Sequence, residues 1–276
     1  MKELIKMLLE EYKKYYQNQE VLFEIVKILR GRETIFMGHK YPIRCLKIHN
    51  IHFLNENFEH FKFFDELHNI YYSVAYLDEM PMFSFNPEKR NEQMKYFTKD
   101  FKKYVKGFDL VLDFDVNKDD KGEFDLSLVY EDTKIIFDLM NEYKLPFSIK
   151  FSGKKGFHIV IPWNYIPESA TDVLKLSPLI AGNLIKYCNL ETLDASIYDR
   201  RRMFKCPYSL DINTGLVALP LHDFQFNNFN KEICKPDNID IQKIRDRGLL
   251  LRNLDLGEQK LKDNFNKFMN EVIYEK

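Results

Sequence analysis

The chain has 276 residues, 45% of them apolar and 30% charged, with a formal net charge of −1. That is enough to bury a substantial core, and the absence of any apolar run of membrane-spanning length or of a signal peptide at the charged N-terminus predicts a soluble, cytoplasmic protein with no membrane partner. A balanced charge excludes capture of nucleic acid by whole-molecule attraction, so any polynucleotide must be held by a local patch.

Residues 3–30 are rich in helix formers, with Leu4, Met7, Leu8, Tyr12 and Tyr15 as an apolar stripe and Gly31 as a stop. The following stretch to about residue 69 is aromatic and histidine-rich, is interrupted by Gly38 and Pro42, and gives no assignable element. Within it Cys45, His49 and His52 have loosely ligand-like spacing but no evident fourth ligand. Cys188, Cys206 and Cys234 are scattered without C-x-x-C spacing, so no structural zinc is expected. Ile70 to Leu77 reads as a strand from its β-branched and aromatic content. From Pro87 to Gly107 the composition is helical and basic (Lys89, Arg90, Lys95, Lys99, Lys102, Lys103, Lys106), with Met94, Tyr96, Phe97, Phe101 and Tyr104 interleaved as a buried face. Its lysines read either as a solvated face or as a phosphate-backbone contact.

Phe108 to Asp115 is an apolar run too short for a helix, hence a buried strand, and it ends in acid. Because strand side chains alternate, Asp113 and Asp115 project to one side with Phe114 on the other. Two carboxylates held that close repel, and divalent cations are the natural way to neutralise them. A polar loop at 117–123 leads to a helix over 126–143, in which Val129, Ile136, Met140 and Tyr143 recur at helical spacing. Then come a strand over 146–151, a turn of Ser152-Gly153-Lys154-Lys155-Gly156, and a strand over 157–161. The glycines leave backbone N–H groups uncovered, and Ser152, Lys154, Lys155 and His158 surround the turn with a hydroxyl, two ammoniums and an imidazole, which suits a polyphosphate. A right-handed crossover would return the strand after the helix beside the acid strand, bringing acid pair and basic turn together.

Residues 166–188 read as a helix after Pro167 with an interruption at Ser177-Pro178, and 190–194 as a short strand ending in Asp194. After Phe226 the chain reads as linker, then helices over 238–251 and 258–274.

F-D at 114–115 after Asp113, S-G-K-K-G-F-H at 152–158 and L-D-A-S-I-Y-D-R-R-R-M-F-K-C-P-Y-S-L-D-I-N-T-G-L-V-A-L-P at 193–220 together resemble, in order, the three motifs of the archaeo-eukaryotic primase superfamily, which includes replicative primase small subunits and primase-polymerases. The resemblance implies an α/β fold with an RRM-like mixed sheet and flanking helices. It also implies one catalytic domain over 1–276, with its core at about 65–225, an N-terminal helical extension over 1–64 and C-terminal helices over 236–276. The implied activity is template-dependent nucleotidyl transfer that makes primers or extends DNA from NTPs or dNTPs. Asp113, Asp115 and Asp194 would be catalytic and hold two Mg²⁺ or Mn²⁺ ions. Ser152, Lys154, Lys155, His158, Arg202 and Lys205 would bind the triphosphate, with His158 as a phosphate contact. Asp199 is a rival third ligand that the spacing disfavours, and Arg200 and Arg201 read as surface charges. Implied partners are a single-stranded DNA template, a primer strand and an initiation or accessory subunit.

The chain departs from the family pattern at five positions. Ser73 stands where replicative primases carry an arginine, Lys154 and Lys155 replace arginines, and Asp211 and Asn213 occupy a histidine and a lysine position. The loop at 117–123 after the acid motif carries no cysteines to build a zinc insertion. Two other function classes compete: a nucleotide-binding accessory subunit without catalysis, against which the three retained acids weigh, and a metal-dependent nuclease, which the basic turn disfavours.

Overall fold

The structure is a computed structural model and describes residues 2–38, 42–45, 48–78, 83–84, 86–116, 125–167, 173–199, 201–240 and 251–274. In chain order its elements are α1 (Lys2–Tyr16), α2 (Gln19–Leu29), β1 (Thr34–Met37), β2 (Pro42–Cys45), α3 (Ile51–His60), β3 (Asn69–Ser73), β4 (Ala75–Leu77) and α4 (Pro87–Tyr104). These are followed by β5 (Val105–Phe108), β6 (Leu110–Asp115), α5 (Leu126–Glu142), β7 (Ser148–Phe151), β8 (Gly156–Ile161), α6 (Val173–Cys188), β9 (Met203–Lys205), α7 (Asp223–Asn227) and α8 (Glu258–Phe268), which continues as a π-helical turn, Met269–Tyr274. The fold is mixed α/β. The expected loop at 117–123 and most of the expected helix at 238–251 lie outside the described residues.

The chain forms two interleaved compact units. Residues 1–106, 203–218 and 230–248 make the first, and 107–202, 219–229 and 249–276 the second.

In the first unit, the antiparallel sheet runs β2-β1-β3-β9. The long helix expected over 3–30 is two helices, because Asn18 accepts a hydrogen bond from Glu20 N and starts α2 afresh. Rings of Tyr12, Tyr16, Phe36, Phe58 and Phe63 pack edge-on and stacked in its core, and Tyr12 Oη donates to His68 O at 2.6 Å. The strand expected over 70–77 is divided at Val74. Ser73, at the position of the family arginine, is fully buried, donates from Oγ to Ala75 O and accepts from Glu33 N, so it is spent on holding that bend. Asn86 caps α4 through Glu88 N and Lys89 N with Pro87 in its first turn. Only Phe97 and Phe101 of its aromatic residues are buried; Tyr96 stands out among the lysines at 63% exposure.

In the second unit, β7 does not lie beside β6. The turn at 152–155 folds β8 back between them, antiparallel to both, giving the order β6-β8-β7. The crossover therefore returns β7 one strand further out than expected, and the acids face the chain just past the turn. Two segments extend the sheet: residues 192–194 bond along β6, through Asp115 N to Thr192 O (3.0 Å) and Asp194 N to Asp113 O (2.9 Å), and residues 219–221 bond along β7. One sheet face is apolar, with Leu112, Phe114, Ile149, Phe151, Phe157 and Ile159 all fully buried, and Tyr130 and Phe226 pack on Phe157 there. The other face carries the polar side chains. α6 runs unbroken through Pro178, so the interruption expected at Ser177-Pro178 does not end the helix.

Candidate active site

The pairing register builds the polar face of the second unit. Asp113 lies opposite His158, His158 opposite Lys150, and Asp115 opposite Gly156. The bridge between Phe114 and Leu193 sets Asp194 opposite Asp113 on the far side of β6. Lys150, His158, Asp113 and Asp194 thus form one rank across β7, β8, β6 and the bridged segment at 192–194, with Asp115 two residues along. Directly opposed side chains in such a sheet have Cβ atoms about 5 Å apart.

Burial makes the contacts within this rank strong. Lys150, His158 and Asp113 are all buried. Lys150 Nζ lies 2.7 Å from His158 Nδ1, and His158 Nε2 lies 3.2 Å from Asp113 Oδ1, close enough for charge attraction but not aligned as a hydrogen bond. Burial raises the Asp113 carboxyl, but the neighbouring His158, Lys150 and Arg202 outweigh it and hold the group below its ordinary value. Asp115 is pushed up, first by burial and then by the Asp113 charge, against the pull of Lys155, whose Nζ sits 2.6 Å from Asp115 Oδ2. His158 is pushed down by burial and by Lys150, against the pull of the two aspartates.

Gly156 is required by this arrangement, since a Cβ there would stand 1.7 Å from Phe114 O and 2.6 Å from Asp115 Oδ1. Ser152 closes the turn: its Oγ accepts from Gly156 N at 3.2 Å and Lys155 N at 3.4 Å, and Gly153 adopts φ +85°. Lys154 and Lys155 are half-buried on the turn.

Asp194 accepts at Oδ1 from Ser196 N and Oγ at 2.8 and 2.6 Å, so its carboxylate also starts the next turn. The segment that carries it is pinned by Asp132 of α5, whose buried Oδ2 accepts from Glu191 N, Thr192 N and Thr192 Oγ1, each at 2.8 Å. Burial, and after it the charges of Asp113 and Asp194, raises the Tyr198 phenol well above its ordinary value. Lys205 belongs to the first unit, on β9 opposite Tyr71, where its buried ammonium pairs with Asp211. Asp211 also accepts at Oδ1 from Asn213 N and Thr214 N, so the aspartate at the family's histidine position organises its own turn.

Two of these positions escaped the sequence reading. Lys150 sits between Ile149 and Phe151 and reads as an outward strand lysine, and only the register reveals its partners. Asp132 reads as a polar position on the helix 126–143.

Among the described residues, no three His, Cys, Asp or Glu side chains converge on one point. Asp113 Oδ1 and Tyr198 Oη are nevertheless both buried without a hydrogen-bond partner. A buried carboxylate oxygen without a well-aligned hydrogen bond, with two more carboxylates on the same face, fits a cation. Among the described residues no helix is long and apolar enough to cross a membrane.

No family model matches the chain. Over 143 residues it is 25% identical to the DNA primase small subunit PriS of Methanopyrus kandleri, a match covering 42% of this chain and 48% of that protein, so the chain spans about half the length of this curated relative. Its fold matches the solved structure of the polymerase domain from Mycobacterium tuberculosis ligase D in complex with DNA, with a TM-score of 0.58 at 14% identity over 87% of this chain and 89% of that one. By fold and by sequence, the chain is similar to the archaeo-eukaryotic primase type of primase-polymerase.

Proposed function

We propose that the protein is a template-dependent nucleotidyltransferase that makes primers or extends DNA from nucleoside triphosphates. The observation that carries this reading is the register of β6. Asp113, Asp115 and Asp194 share one sheet face, and the basic turn 152–156 ends opposite Asp115. The likeness to a primase small subunit and to a ligase polymerase domain supports it.

Asp113, Asp115 and Asp194 would hold two Mg²⁺ or Mn²⁺ ions. Bound there, such ions supply charge neutralisation at the triphosphate and activation of the primer 3′-hydroxyl. The remaining work falls to the chain. Lys155, now paired with Asp115, and Lys154 lie on a turn that can offer ammonium groups to a polyphosphate once the acids are neutralised otherwise. Ser152 serves by keeping that turn closed. Arg202 lies close enough to Asp113 to lower its carboxyl, and adds a further cation to the same unit. Lys205, the other candidate from the third motif, pairs with Asp211 in the first unit.

The test is synthesis on unprimed and primed single-stranded DNA with Mg²⁺ or Mn²⁺, supplying ribo- and deoxynucleotides separately. The wild type is expected to incorporate nucleotides, and D113A/D115A to lose at least a thousandfold of that rate, on the order of 4 kcal/mol of transition-state stabilisation. Extension only from a primer would mean that another subunit initiates. No incorporation on either template by folded wild type would overturn the enzyme reading in favour of an accessory subunit.

A further inference from the structure

The rank across the second unit contains a lysine that the proposed reaction does not use. Lysine is rarely buried unless paired, yet Lys150 is 3% exposed in the middle of β7, on the face that carries the acids. Its Nζ lies 2.7 Å from His158 Nδ1. An ammonium has three donors and no acceptor, so at this distance Nδ1 must present its lone pair. A neutral imidazole carries a single N–H, which then sits on Nε2, the nitrogen 3.2 Å from Asp113 Oδ1. A doubly protonated ring would set two cationic N–H groups against each other at 2.7 Å in a buried site.

We propose that Lys150 is a positioning residue, whose ammonium occupies His158 Nδ1 and so holds the ring as the Nε2–H tautomer, with Nε2–H turned to the acids as a hydrogen-bond donor for the nucleotide site. Its use in catalysis rests on the nucleotidyl-transfer reading above; the tautomer itself does not. With its proton on Nε2, the ring has no free lone pair on the side of the acids and can only donate there, to a carboxylate or to a phosphate oxygen. The lysine acts through the ring and does not itself touch the substrate.

Ring ¹H–¹⁵N correlations of the metal-free protein at about pH 7.5 test this directly, with His158 assigned by the signals missing in H158Q. Wild type and K150R, which keeps a cationic donor, should show the Nε2–H pattern. Folded K150M, which has none, should show a tautomer mixture or a doubly protonated ring. An Nδ1–H or doubly protonated ring in the wild type overturns the proposal without any variant, as does an unchanged Nε2–H pattern in folded K150M. In the incorporation assay, K150M should raise the apparent nucleotide KM by roughly tenfold, as expected for a weakened hydrogen bond to a charged group, while K150R stays near wild type. Equal KM values in wild type and K150M would overturn the positioning role. A wild type that incorporates nothing would instead overturn the enzyme reading, and the ring pattern would still decide for or against Lys150.

Discussion

Gly156 shows how one residue fixes the electrostatics of the site. Any side chain there collides with Phe114 O, so β8 must retreat from β6 and carry His158 away from Asp113. G156A should cost about 3 kcal/mol in urea unfolding, the upper range for overpacking, and a loss under about 1 kcal/mol would show that the strands can part there freely. The two aspartates act on stability with opposite sign. Asp113, held below its ordinary value, contributes stability that is present above about pH 4 and is lost as the pH falls through its folded value. Asp115 is raised, so its contribution is present below about pH 4 and is lost as the pH rises through its folded value. D115N should therefore be more stable than wild type at about pH 7 in EDTA, with the gain shrinking towards about pH 4. A D115N protein less stable at neutral pH would mean that its pairing with Lys155 outweighs burial and repulsion. At this scale the sequence announced the acids and the glycine turn, because D-x-D at a strand end and G-x-x-G carry their chemistry in their spacing. It hid Lys150, because a lysine between two apolar residues has the same alternation whether its face meets water or a row of carboxylates.

At the scale of elements, periodicity located β6, α5, β7 and β8 but not their order. The crossover rule fixes the hand of a β-α-β unit and leaves open how many strands lie between its two β-strands, and the tight turn after β7 decided that by placing β8 in the gap. The aromatic stretch that resisted assignment contains β1, β2 and α3, whose apolar residues do not alternate because both a hairpin and a helix draw on them. α4 was legible as a helix but not in its use. Lys95, Tyr96, Lys99, Lys102 and Lys103 are exposed along it. If these lysines hold template, replacing Lys95, Lys99 and Lys102 with glutamine should weaken binding to single-stranded DNA and flatten the dependence of log K on log salt by about 0.7 for each phosphate no longer neutralised. An unchanged slope would return the helix to a solvated face.

At the scale of the molecule, each unit is assembled from separate stretches of chain, which local sequence patterns cannot reveal. The second unit depends on residues far from its acids. Arg252 lies 5.0 Å from the ring centroids of both Phe137 and Phe147 and donates from Nε to Asp223 at 2.7 Å, while Leu261, Phe265, Phe268, Met269, Val272 and Ile273 are buried. Those six side chains are worth about 1.5–3 kcal/mol each, in sum as much as the roughly 5–15 kcal/mol by which whole proteins are stable. Deleting residues 249–276 should leave the second unit unfolded, seen as rapid proteolysis between residues 107 and 229. Wild-type protection of that span would show that the C-terminal helices are dispensable.

The same interleaving sets a timetable for synthesis. The acid strand leaves the ribosome early, yet the stretch that completes its unit ends at residue 276. At about 5–20 residues per second the intervening chain takes on the order of 10–30 s to be made. During that interval the apolar face of β6 and β8 has no final cover, so the nascent chain is a client for holding chaperones, and the site can form only once the stretch 249–276 has been made.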